Sequence, residues 1–382
     1  MCPKLFDILS EDVLDLIVAE VAKDAELEEL CEIRLACRDL SYVLESKLFK
    51  ATTINITRPE AQSQLRIMAS GNGANARWTT HLKVQSLPRA ANRSQSTLLR
   101  KAIEGLRKLE SAHIQFQMVS NYDVVLAVSQ LPKLRSVQLL FETGWRDSAP
   151  LPPLEYFKGL HSLELSNLPL SQRAVDVLRQ TITISPELQS LNILYQGRHS
   201  SLEDLASVFA DAVAAPAFVP TLERLILRGR HITLSPACVP YLSALTDLQI
   251  DQCPTAHAVD PAFWEALADG RVRLQHLKLY PLSPSIVAYL KTYTGLRTLR
   301  LSGNGKDKSS INRQLHMVEA LYREIIPQHR ETLRELCTAN LPTTVWEIEA
   351  KNLKAILRCM NLETLAVKYR YDVGKGTIDL PI

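Results

Sequence analysis

Histidine and cysteine are the residue types in this chain best able to do chemistry, and their spacing points to none. The nine histidines include His161, His257, His276 and His316. No H-E-x-x-H places two imidazoles one helical turn apart beside a glutamate base, as zinc hydrolysis needs. There is no G-x-S-x-G turn to expose a nucleophilic serine and no G-x-G-x-x-G dinucleotide loop. The seven cysteines, Cys2, Cys31, Cys37, Cys238, Cys253, Cys337 and Cys359, are odd in number and never form C-x-x-C. That pattern argues against a zinc site or a disulfide framework and fits free thiols in a reducing compartment. The run Gly303-Asn304-Gly305-Lys306-Asp307-Lys308-Ser309-Ser310 has the residue types of a phosphate cradle without the G-x-x-x-x-G-K-[ST] spacing. It reads as a polar surface loop. The expectation is a binding protein with no catalytic set, metal or cofactor.

Composition narrows the choice of partner. Of 382 residues, 46% are hydrophobic and the formal net charge is +3. The whole chain therefore does not read as a nucleic-acid or membrane binder. The charge is uneven, however. Residues 1–50 hold six Lys or Arg and twelve Asp or Glu, whereas residues 51–110 hold ten basic residues and only Glu60, Glu104 and Glu110 as acids. The contrast suggests a boundary near residue 50 and leaves open a basic interaction face or ordinary solvated charge. Met1-Cys2-Pro3-Lys4 leads into no signal-like apolar run, and no apolar stretch approaches the roughly 18–20 residues that span a bilayer. The location expected is cytoplasmic, nuclear or both.

The elements that would position a binding surface repeat. The phrase L-x-x-L-x-L is cleanest at Leu160–Leu165, Leu222–Leu227, Leu274–Leu279 and Leu296–Leu301. Marked by its second leucine, it recurs at Leu82, Ala112, Val137, Leu163, Leu191, Leu225, Leu248, Leu277, Leu299, Leu336 and Leu365, at intervals of 22 to 37 residues. Apolar residues at i and i+2 share one face of a short strand. Between the phrases lie helical spacings, such as Ser171–Leu178, Pro261–Leu267, Pro284–Leu290 and Leu353–Leu357, several opening on Ser or Asp before Pro. The two longest intervals predict one longer helix within Ser200–Pro220 and another from about Ile311 to Ile326. Trp78, Trp145, Trp264 and Trp346 occur singly, as packing between repeats would have them.

These phrases resemble those of leucine-rich repeat proteins, over about three quarters of the chain. The resemblance implies an α/β solenoid over 79–382, with a parallel sheet on a concave side and helices on a convex side. Residues between the strand leucines would face the concave side. The side chains with most binding potential there are Arg224, Arg228, Asp251, His276, Lys278, Tyr280 and Arg300, with Tyr and Arg as the usual interface anchors. Stacking in register would also let Arg224 face Asp247 and Arg228 face Asp251, as internal ion pairs. Earlier repeats offer smaller residues: Ser111, Ser136, Ser162, Ser166 and Ser190.

The first fifty residues have a different period. Phe6, Leu9, Val13, Leu16, Ile17 and Val21 fall on one face of a helix that Ser10 or Asp7 could cap. Leu27, Leu30 and Ile33 predict a second helix; Leu40, Val43, Leu44 and Leu48 predict a third. Leu9-Ser10-Glu11-Asp12-Val13-Leu14-Asp15-Leu16-Ile17, then Ile33-Arg34-Leu35-Ala36-Cys37-Arg38-Asp39-Leu40, then Leu48-Phe49 resemble an F-box, with Ser10 in place of the usual Pro and Ala36 in place of Val. The resemblance implies a small three-helix domain over 1–50, joined through 51–78, as linker or array cap, to the repeats. It implies docking on the Skp-type adaptor of a cullin-based ubiquitin ligase, with the repeats holding a protein substrate. Candidate adaptor contacts are Leu9, Val13, Leu14, Ile17, Leu35, Cys37, Leu48 and Phe49. The bare residues also allow a helical cap on an interaction scaffold without any ligase link.

Overall fold

The computed structural model describes residues 10–24, 26–36, 38–87, 93–116, 122–141, 151–168, 172–195, 203–214, 219–229, 232–251, 259–279, 282–302, 311–341, 346–348 and 350–368. The chain forms two compact halves, divided between Leu160 and His161.

In the N-terminal half, helices α1 (Glu11–Asp24), α2 (Leu27–Ala36) and α3 (Arg38–Leu48) come first. Ser10 caps α1, its Oγ and carbonyl both accepting from the Val13 N–H, at 3.4 and 3.1 Å. Asp12 and Asp15 near its start and Lys23 in its last turn complement the helix dipole. Leu14, Val18, Leu30, Val43 and Leu44 form a small core, with Ala22, Ile33, Leu40 and Leu48 packed at its margin.

Four parallel strands follow in chain order: β1 (Ala51–Asn55), β2 (His81–Leu87), β3 (Ser111–Phe116) and β4 (Ser136–Phe141). Parallel neighbours need crossovers. Helices α4 (Ala61–Ala69), α5 (Ala74–Trp78), α6 (Arg93–Glu104) and α7 (Tyr122–Ser129) supply them. Alternate strand residues are buried: Thr52 and Ile54, Leu82 and Val84, Ala112 and Ile114, Val137 and Leu139. Thr52 pairs in register with Leu82, so β1 is a repeat strand whose marker leucine is a threonine. Its buried hydroxyl lies 2.8 Å from that of Thr79, which itself reaches the Phe49 carbonyl at 3.1 Å. The stretch 51–78 thus forms β1, α4 and α5.

The C-terminal half repeats the plan. Its parallel strands run β5 (Ser162–Ser166), β6 (Ser190–Tyr195), β8 (Arg224–Gly229), β10 (Asp247–Asp251), β11 (His276–Leu279), β12 (Thr298–Ser302), β13 (Glu335–Asn340) and β14 (Thr364–Ala366). Leu163, Leu191, Leu225, Leu248, Leu277, Leu299, Leu336 and Leu365 fall opposite one another along this order. All but Leu365 are essentially inaccessible.

The intervening helices are α8 (Gln172–Thr183), α9 (Leu205–Ala214), α10 (Pro261–Asp269), α11 (Pro284–Leu290), α12 (Ile311–Ala320), α13 (Ile326–His329) and α14 (Ala350–Ile356). Asp260 and Ser283 cap α10 and α11 ahead of proline, as expected: Asp260 Oδ1 accepts from Ala262 N–H at 2.9 Å and Ser283 Oγ from Ile286 N–H at 3.3 Å. The interval 200–220 holds a helix described over Leu205–Ala214, after a two-residue strand β7 (Glu203–Asp204) that pairs with β9 (Ile232–Thr233). Pro236–Leu242 is a 3-10 segment with a proline inside it rather than an α-helix. Leu321–Ile325 is a π-turn joining α12 to α13. Pro327 follows after Ile326; it has no N–H to give an upstream carbonyl, so the regular ladder cannot continue through it.

A buried polar chain ties these repeats together. Tyr289 OH donates to the Val272 carbonyl at 2.8 Å and Tyr293 OH to the Leu274 carbonyl at 3.0 Å. His329, 1% exposed, takes the Leu296 N–H on Nδ1 at 3.3 Å and meets the Leu290 carbonyl through Nε2 at 3.1 Å. That pairing needs a neutral ring protonated on Nε2. Burial pulls the His329 pKa below its ordinary 6.5, against a smaller upward pull from the Leu290 bond. A lowered folded pKa means the stabilisation is present above the unfolded value and is lost as pH falls below it. His329→Gln should therefore flatten the Tm-versus-pH curve as pH falls below about 6.5, relative to the unsubstituted chain. Parallel curves would show that His329 does not set that slope.

Candidate functional site

Two surfaces have the residues for recognition, one in each half. The first is the outer side of α1. Leu14 and Val18, four residues apart, are 1% and 3% exposed and face the helical core. Val13, Leu16, Ile17 and Val21 are 40%, 70%, 45% and 40% exposed. The apolar stripe read from the sequence is thus largely the outward one, because the core uses the adjoining positions. Leu35 on α2, at 79%, and Tyr42 on α3, at 42%, add exposed apolar surface. An apolar helix face left in water is an unusual arrangement unless something covers it.

Of the expected adaptor contacts, Val13, Ile17 and Leu35 are on the surface. Leu14 and Leu48 serve the core instead, since each packs against α1–α3 neighbours. Phe49 is half-buried under the Arg34 guanidinium, 5.6 Å from its ring centre. Leu9 and Cys37 lie outside the described residues. The candidate set omitted Leu16, Val21 and Tyr42; a helical wheel that placed Leu14 and Val18 inward would have found the first two.

The second surface is the outward row of the C-terminal sheet. Glu164, Asn192, Ile226, Gln249, Lys278, Arg300, Cys337 and Ala366 are successive register partners, and so are Ser162, Ser190, Arg224, Asp247, His276, Thr298, Glu335 and Thr364. Arg224, Lys278 and Arg300 lie in these rows and Arg228 in the row that pairs Leu194 with Asp251, and each of the four has an acid. Arg224 Nε meets Asp247 at 3.0 Å, and Arg228 Nε meets Asp251 at 3.5 Å. Lys278 Nζ reaches the same Asp251 oxygen at 2.8 Å. Arg300 grips Glu335 with two bonds, Nε at 2.7 Å and an Nη at 2.9 Å. The Glu335 bond holds the Arg300 pKa above its ordinary value. His276 Nδ1 lies 3.0 Å from Thr298 Oγ1. Tyr280 lies outside the described residues.

The sequence anticipated the Arg224–Asp247 and Arg228–Asp251 pairs. It missed Glu335, because the 37-residue interval from Leu299 to Leu336 hides that β12 and β13 are neighbours. Cys238 is not placed to act as a nucleophile. Cys238 is buried 3.6 Å from Asp204 Oδ1, and desolvation with that carboxylate pushes its thiol up to about 12. Among the described residues no group of three or more His, Cys, Asp or Glu could hold a metal ion, and no helix is long and apolar enough to cross a membrane. No protein-family model matches the chain, and no curated protein matches it.

The ion pairs are half-exposed on the cationic side, so each contributes only about 0–1 kcal/mol. A double-mutant cycle of Arg300→Met and Glu335→Gln, followed by urea unfolding, should give a coupling energy under about 1 kcal/mol that shrinks further in high salt. A salt-independent coupling of several kcal/mol would mean the pair is shielded by something this surface does not show.

Proposed function

We propose that the chain is a substrate receptor of a cullin-based ubiquitin ligase, without chemistry of its own. On this reading residues 1–50 are an F-box-like module that docks on a Skp-type adaptor. The repeats over 79–382 then form a leucine-rich solenoid whose concave sheet side holds a protein substrate. The observation that carries the reading is the outward apolar stripe of α1, Val13, Leu16, Ile17 and Val21, standing over a helical core that does not use it. The mechanism is tethering. The adaptor fixes one part of the chain, the repeats hold the target, and the effective concentration of target near activated ubiquitin rises. Such a receptor works in the cytoplasm or nucleus, where ubiquitin ligases act.

A second reading has its own support. Helix α3 is joined to the first repeat by Arg77–Glu45 at 3.0 Å and by an edge-on Tyr42–Trp78 contact of 5.2 Å between ring centres. Those contacts suit a helical cap on an interaction scaffold that has no ligase partner.

The two readings separate by mutation. Because Leu16 and Ile17 are exposed, Leu16→Glu with Ile17→Glu should leave the melting temperature within about 2 °C while reducing capture by a purified Skp-type adaptor at least ~30-fold, the scale of an interface hot spot. Leu14→Asp should instead melt the helical core. If the intact chain captures no adaptor, or if the Leu16 and Ile17 changes unfold the first repeats, the cap reading takes over.

A further inference from the structure

Where α6 and α7 end, the N-terminal half holds a cleft. Its volume is about 390 Å³, and Glu104, Arg107, Ala127, Gln130, Leu131 and Pro132 line it. Ligand clefts run from roughly 300 to 1,000 Å³, so this one has room for a side chain or two of a partner rather than a folded element. Ala127 and Leu131 are buried and give it an aliphatic floor, with Pro132 beside them. The carboxyl ends of α6 and α7 stand there, and the last turn of a helix carries partial negative charge. The floor therefore suits an aliphatic side chain and disfavours an anion. No aromatic ring lines the cleft, so a nucleic-acid base has no platform to stack on.

The mouth of the cleft is cationic. Its one lining carboxylate, Glu104, already has Arg100 Nε at 3.4 Å, one helical turn back. Arg107 is exposed and has no acidic partner among the described residues. Lys133 and Arg135, on the turn that follows α7, are exposed and equally unpaired among the described residues. Together the turns 105–110 and 130–135 hold Arg107, Lys108, Lys133 and Arg135 against a single carboxylate, Glu110. Lys108 is directed elsewhere, its Nζ 4.2 Å from the centre of the Trp78 ring. Three cations are left beside an aliphatic floor. Spread over two turns, they call for more than one anion, which a peptide supplies and a single fatty-acid carboxylate does not.

We propose that this cleft binds a short acidic segment of a protein partner, with one aliphatic side chain on the floor and the carboxylates flanking it held by Arg107, Lys133 and Arg135. The inference rests on reading the repeats as the recognition part of the chain, and it names the class of segment they take. It moves recognition from the C-terminal sheet face, where the sequence placed it, to the turns of the N-terminal half.

The test is fluorescence anisotropy of a labelled Ser-Glu-Glu-Leu-Glu-Glu-Ser peptide against the full chain at low salt. Arg107→Glu with Lys133→Glu should raise Kd at least ~10-fold. Both positions are exposed, so the melting temperature should stay within about 2 °C. The milder Arg107→Gln with Lys133→Gln should shift Kd the same way by less, and it keeps the test if the reversed charges unfold the chain. A peptide with Ser at its centre should bind at least ~5-fold more weakly, the scale of an aliphatic side chain left in water. Gln130→Trp fills the cleft from an exposed wall and should abolish that difference. Arg323→Glu, in the other half, should leave Kd within about twofold. Absence of saturable binding would overturn the proposal. So would equal affinity for the two peptides, an unchanged Kd in the Arg107 and Lys133 variants, or tighter binding of poly-uridine or of phosphatidylserine vesicles. Adaptor capture is measured on the same preparations. Peptide binding without adaptor capture would sink the ligase reading and leave this cleft standing; adaptor capture without peptide binding would do the reverse.

Discussion

One hydrogen-bond arrangement recurs where each strand begins, and the rest of each half depends on it. A single carbonyl accepts from two consecutive N–H groups of the next repeat. In the N-terminal half the Lys50 carbonyl takes Thr80 and His81, the Thr80 carbonyl takes Glu110 and Ser111, and the Glu110 carbonyl takes Arg135 and Ser136, all between 2.8 and 3.0 Å. In the C-terminal half the acceptors are His161, Gln189, Glu223, Thr246, Gln275, Arg297 and Arg334, each bonded to two N–H groups between 2.7 and 3.0 Å. A carbonyl has two lone pairs, so the arrangement satisfies one acceptor and two donors that the turn would otherwise strand. It also fixes the register, because a slip of one residue would turn every buried strand side chain to the opposite face.

Once register is fixed, burial follows from it. The marker residue of each strand stacks on that of the next, and the residue two further on does the same. Interior and exterior then alternate along the strand, leaving the residues between the leucines to differ without cost to the core. The same separation explains why α1 can carry an apolar outward stripe. Its own core takes Leu14 and Val18, with Ala22 at the margin, so Val13, Leu16, Ile17 and Val21 are not required to hold the three helices together.

Much of the fold was legible because apolar spacing repeats. The marker residues from Leu82 through Ala112 to Val137, and from Leu163 to Leu365, are the residues that sit opposite one another. The first strand was not legible, because Thr52 occupies a leucine position and is satisfied by Thr79, a partner 27 residues away. The π-turn before Pro327, the short β7–β9 pair and the 3-10 segment at Pro236 were missed for a similar reason: each is imposed by tertiary fit or by proline rather than by a periodic signal. The candidate sites were less legible than the fold. Sequence can place Arg300 on a face, but whether its charge is available depends on Glu335, which arrives from the next strand.

That dependence bears on how recognition is distributed along such a sheet. A cation whose carboxylate stands on the adjacent strand offers a partner little field, since the two charges are seen together from beyond a few ångströms and are screened by salt. Arg224, Arg228, Lys278 and Arg300 are all in that position. Their pairs act between neighbouring repeats, where Asp251 holds cations from the strands on both sides of it. A partner binding there would have to break those pairs or match both signs at once.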